Sequence, residues 1–170
     1  ADSITGTASG VVSSVSADSI TVNQAGWNRG ALSNDAAPFV MRITSGSAEG
    51  RNLLISREND NSPDTVTIDL ATSNVDDLTN LGISGGADTF EIIECDTLSS
   101  LFGAPQQGGI VGGSTAEQAD VVFIFTNGSW SRFYYDVDES HWTRVTFRTP
   151  DESNRVLMPD VGILFSRRAN

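Results

Sequence analysis

Lysine is absent from this chain of 170 residues; all ten basic residues are arginine. That removes Schiff-base chemistry and the phosphate-binding lysine of a P-loop. A single cysteine, Cys95, leaves no internal disulfide. One cysteine and one histidine, His141, also exclude a Cys₂His₂ zinc site and any multi-histidine metal centre. No apolar run approaches the ~20 residues of a membrane-spanning helix, so no membrane insertion is expected. Positive charge is scarce, with 10 basic against 22 acidic residues and a formal charge of −12 at pH 7. A chain so acidic repels phosphate backbones and anionic lipid surfaces, which argues against nucleic-acid binding.

What is present is the vocabulary of strands and turns. Ser, Thr, Gly, Asn and Asp are abundant, and they suit turns and exposed strand faces better than helix interiors. Apolar and polar residues alternate with period two in eleven segments: 11–15, 19–23, 39–44, 52–57, 65–70, 89–95, 120–126, 129–137, 142–148, 155–158 and 162–166. Two pieces have a helical pattern. Residues 74–81 start at Asn74 and stop before Gly82, and 97–102 make one turn before Gly103. The expected fold is all-β, a single-domain sandwich or barrel over 1–170, with about ten short strands and one or two short helices. Parity places Ile43, Leu54, Ile92, Val122, Ile124, Phe133, Val145 and Phe147 in one core. Cys95, inside the run Phe90–Cys95, reads as a small core residue. The stretches 27–37 and 103–119 lack a pattern and read as loops.

The most informative segment follows the hairpin signal Asn127-Gly128. Alternation gathers Trp130, Arg132 and Tyr134 on one strand face, with Trp142 and Arg144 expected beside them from the next strand. Trp, Tyr and Arg are the residue types enriched at binding hot spots, and flat aromatic rings also stack on sugars. The group therefore reads as a partner interface or a glycan platform, unless loops or a second sheet cover it as core. Asp136, Asp138 and Glu139 put oxygen ligands in one turn, and Glu58–Asn61 does so in another. Weak calcium binding at the first is allowed, although both match ordinary solvated turns and neither has EF-hand spacing. No other cofactor is expected. No catalytic residue is assigned, and His141 reads as a polar residue at a strand end. A carboxylate pair for glycoside cleavage stays open, since its spacing cannot be read from sequence.

Several short motifs together resemble an uncharacterised family of secreted, β-rich bacterial proteins. They are Gly26-Trp27; Ile43-Thr44-Ser45-Gly46 with Ala48-Glu49-Gly50-Arg51; Asp96-Thr97-Leu98 with Leu101-Phe102-Gly103; Gly128-Ser129-Trp130 with Tyr134-Tyr135; His141-Trp142 with Arg144; and Met158-Pro159-Asp160 through Gly162-Ile163-Leu164-Phe165 with Arg167-Arg168. The resemblance covers most of the chain. It implies export to the cell surface or exterior, brings no established enzymatic activity to carry over, and suggests that 1–170 is a processed or trimmed form. The reading that follows is a non-enzymatic structural subunit of an extracellular filament, sheath or surface layer, with itself as partner. The contact would be the aromatic-Arg face or an end strand, either residues 3–7 or the apolar 162–166. The alternatives are a surface carbohydrate-binding or adhesion module, with glycans as partner, and a glycoside-type hydrolase.

Overall fold

The computed structural model describes residues 8–23, 27–105, 109–126, 128–146 and 150–168. The protein is mostly β, with 38% of residues in strands and 11% helical. Two compact units, 1–95 and 96–170, each contain a buried apolar cluster, so the alternation is shared between two cores.

The first unit holds β1 (Ser9–Val15), β2 (Ser19–Val22), β3 (Phe39–Ile43), β4 (Asn52–Leu54), β5 (Thr65–Thr67) and β6 (Thr89–Glu94). They form one antiparallel sheet in the order β4-β3-β6-β1-β2-β5. The sheet curls until its two edge strands meet. Just past β4 and β5, Ile55 bridges Ile68, and Ser56 N–H donates to Thr67 O at 2.8 Å. Closure removes the open edges that strands otherwise present. The interior is filled by Val12, Ile20, Met41, Ile43, Leu53, Ile55, Val66, Phe90 and Ile92, with Trp27 edge-on to Phe90 at 6.2 Å. Cys95 is buried, as its apolar run implies.

Asn74 ends a helix here instead of starting one. The helix is α1 (Leu70–Ser73), capped by Asp69, whose side chain accepts from Thr72 N–H at 3.0 Å. Asn74 follows at φ 54°, in the left-handed region that Asn tolerates at a helix C-terminus. Only the end of the expected 74–81 helix forms, as a 3₁₀ turn over Leu78–Leu81 capped by Asp77.

The second unit holds β7 (Asp96–Thr97), α2 (Leu98–Phe102), β8 (Val121–Thr126), β9 (Ser129–Asp136), β10 (His141–Arg144), β11 (Val156–Leu157) and β12 (Gly162–Ser166). The expected turn at 97–102 is α2, and Thr97 and Ser100 form its capping box. Four strands make an antiparallel sheet in the order β10-β9-β8-β12, and β7 pairs with β11. Leu98, Ile110, Val122, Ile124, Phe133, Trp142 and Leu157 form its core. The eight residues assigned to one core are therefore split. Ile43 and Ile92 pack in the first unit, where Leu54 is also buried, and Val122, Ile124 and Phe133 pack in the second. Val145 is only half-buried because β10 ends at Arg144, and Phe147 lies outside the described residues.

Candidate functional site

The register of one hairpin decides which of the expected site residues meet. The turn after β9 pairs His141 with Asp136, Trp142 with Tyr135, Thr143 with Tyr134 and Arg144 with Phe133. Residues directly opposed in an antiparallel pair project to the same side. Trp142 and Arg144 thus share the face of Phe133 and Tyr135, while Trp130, Arg132 and Tyr134 occupy the opposite face. This corrects the expectation of one exposed five-residue group. Tyr134 faces Thr143 and not Trp142, and a one-residue difference in pairing moves every side chain to the other face.

Two of the five are also buried. Trp142 is 1% exposed, packs against Phe102 and Tyr135 at 5.8 and 6.0 Å, and donates from Nε1 to Gly103 O at 3.1 Å. Tyr134 is buried beside Asp136 Oδ2, to which its hydroxyl donates at 3.3 Å. Arg144 lies with its guanidinium 5.7 Å from the Phe133 ring centre, and its Nε meets Glu152 Oε1 at 2.6 Å. Of the expected group, Trp130 and Arg132 remain exposed.

Their neighbours come from β8 and β12. Phe123 pairs with Arg132 and Leu164, and Phe125 pairs with Trp130 and Gly162. One face of the sheet therefore presents Phe123, Phe125, Trp130, Arg132 and Leu164 together. The rings of Phe125 and Trp130 lie 5.0 Å apart, and Trp130 crosses above Gly162: a Cβ there would stand 3.7 Å from its Cη2. Phe125, Trp130 and Leu164 are 40%, 47% and 57% exposed. An apolar group of this kind on a protein surface is associated with binding.

The strand β12 adds a second feature. All five of its residues are exposed, including Ile163, Leu164 and Phe165, and it forms an edge of its sheet. Beyond its ladder with β8, no backbone hydrogen bond reaches residues 162–166 among the described residues. The opposite edge is different. Trp142 N–H on β10 donates to Ser153 Oγ at 3.2 Å, and Trp142 O accepts from Glu152 N–H at 2.7 Å.

The acidic turn at 136–139 is built for its own backbone. Asp136 is fully buried; its Oδ1 accepts from the N–H groups of Asp138 and Glu139 at 3.0 and 3.4 Å, and its Oδ2 from Tyr134. Asp138 Oδ1 accepts from Ser114 Oγ at 3.1 Å. Among the described residues no three His, Cys, Asp or Glu side chains gather as a group that could hold a metal ion. Within the turn, inward-facing carboxylate oxygens satisfy N–H groups that would otherwise be orphaned. In the second cluster, Asn61 is buried and accepts from Leu32 N–H at 2.9 Å while donating to Asn28 O and Ser62 O. With Trp27 Nε1 donating to Ser62 O at 2.9 Å, it pins the pattern-free loop 27–37.

His141 sits across from Asp136, and its Nε2 is buried with no hydrogen-bond partner among the described residues. Burial raises the Asp151 carboxyl, but hydrogen bonds from Ser153 and the charge of His141 outweigh it and hold the group below its ordinary value. Gly82-Ile83-Ser84-Gly85-Gly86 has the spacing of a nucleophile elbow. It occupies the turn between a 3₁₀ turn and β6, not the strand-to-helix junction such an elbow requires, and Ser84 N–H donates to Asp88 Oδ2 at 2.8 Å. Asn127, of the hairpin signal, lies outside the described residues, as do residues 3–7. No helix among the described residues is long and apolar enough to cross a membrane.

Comparison with family models, with curated proteins and with solved structures finds no match to this chain.

Proposed function

We propose that this protein is a structural subunit of an extracellular assembly and self-associates through the surface made by β12 and the adjoining Phe125–Trp130 face. The observation that carries the reading is β12 itself, an edge strand exposed at every residue and apolar at its centre. Long or apolar open edges are what proteins normally cover, shorten or charge. An edge left bare in the subunit is reasonable where another chain completes the sheet. The acidity supports the same reading from another side: at −12 per chain, copies repel at a distance, so association requires a specific short-range contact.

Sedimentation velocity over rising protein concentration, with and without calcium, tests the proposal. Association that rises with concentration and reaches at least a dimer is expected. A monomer throughout would overturn it. A second reading rests on Trp130, whose half-exposed ring beside Phe125 and Arg132 offers a sugar-stacking platform. Glycan-array binding by a monomer, lost in Trp130→Ala, would select that module instead.

A further inference from the structure

We infer that two copies join edge to edge through β12 in antiparallel register, related by a two-fold axis through Leu164. The inference rests on the self-association proposed above and specifies its contact.

Three observations lead to it. First, among the described residues the four-stranded sheet has one edge, β12, that no backbone hydrogen bond beyond its own ladder reaches. The β10 edge is occupied by Glu152 and Ser153, so β12 of one copy cannot extend the sheet by adding to β10 of the next. Within this sheet the counterpart left to β12 is β12 of the second copy, and a strand that pairs with its own copy does so isologously. Second, side-chain direction restricts the register. A two-fold perpendicular to the sheet keeps inward residues inward only if it passes through a residue, because faces alternate with period two. Placed at Leu164, it pairs the whole strand: Ile163 with Phe165, Gly162 with Ser166, and Leu164 with itself. Third, the flanking charges are self-complementary. Asp160 precedes the strand, and Arg167 and Arg168 follow it. Antiparallel pairing brings Asp160, in the turn before the strand, toward the Arg167–Arg168 end of the second copy, where Arg168 donates to Gln118 O at 3.2 Å; a parallel pairing would bring like charges together. This arginine pair is a concentration of positive charge in a chain of −12, placed where two acidic copies would approach.

The test uses single cysteines in a Cys95→Ala background under mild oxidation. Leu164→Cys puts two sulfur-bearing residues directly opposite one another, within the Cα separation a disulfide accepts. Ser166→Cys puts them four residues apart, about 13 Å at 3.3 Å per residue, beyond that reach. Fast covalent dimer formation by the first and not the second is the expected result. Equal linking by both overturns the register. Linking by neither, while the unmodified protein still sediments as an oligomer, overturns β12 pairing and leaves self-association standing. A monomer at every concentration overturns both. Asp160→Arg should weaken association at least tenfold, and adding Arg168→Asp should restore it; failure of the restoration would remove the charge pairing.

Discussion

The two units solve the same problem in opposite ways. Each must bury one apolar sheet face and dispose of two strand edges. The first unit curls six strands until Ile55 reaches Ile68, so its edges satisfy one another and its aromatic residues Trp27 and Phe90 face inward. In the second, four strands stay open, the β10 edge is covered by a loop, and β12 is left bare with Ile163, Leu164 and Phe165 exposed. Tryptophan follows the same division: Trp27 and Trp142 are buried with their indole N–H bonded, while Trp130 is half-exposed. Closure is a route to a self-sufficient fold, and an uncovered edge is a route to a contact.

The comparison can be broken at four points, in decreasing order of effect. Trp142→Ala removes the largest buried side chain of the second core and should cost roughly 3–5 kcal/mol. Hydrogen exchange should report faster opening in 96–170; an unchanged melting curve would contradict the burial. Ile55→Ala, at the seam that closes the first unit, should cost about 2–5 kcal/mol. Faster amide exchange should then concentrate at residues 54–56 and 67–69, and uniform exchange over the whole unit would show that closure is not local to that seam. Leu164→Lys should change stability by no more than ~0.5 kcal/mol, since the side chain is largely exposed. It should nonetheless shift the protein toward monomer in sedimentation.

The smallest effect is acid sensitivity. Hydrogen bonds from Thr79 hold Asp77 below its ordinary value, and Ser62 does the same for Asp64. A carboxyl whose folded pKa is depressed contributes stability that is complete above its unfolded value of about 3.9 and lost as pH falls through the folded value. Melting temperature should therefore be flat from neutrality to about pH 4 and fall below it. Asp77→Asn should flatten that fall slightly, and an equal fall in the variant would show that Asp77 does not contribute.

Local chemistry determined a good deal. Period-two alternation marked most of the strands, because a half-buried sheet forces it. Thr97 and Gly103 marked the ends of α2, because a helix N-terminus needs a side-chain cap and Gly103 leaves the helix at φ 66°, which glycine adopts freely. The sequence also showed that 162–166 is apolar enough to be an exposed liability or a contact. Tertiary structure alone decided three matters. It divided the alternation between two cores, since parity says which residues turn inward and not which partners they meet. Pairing across the β9–β10 turn put Trp142 and Arg144 on the face away from Trp130, because a register set by the turn fixes every side chain beyond it. And it made β12 an open edge, because strand order depends on contacts between residues far apart in the chain: β12 lies against β8, some forty residues earlier, and no local pattern records which side of a strand stays free.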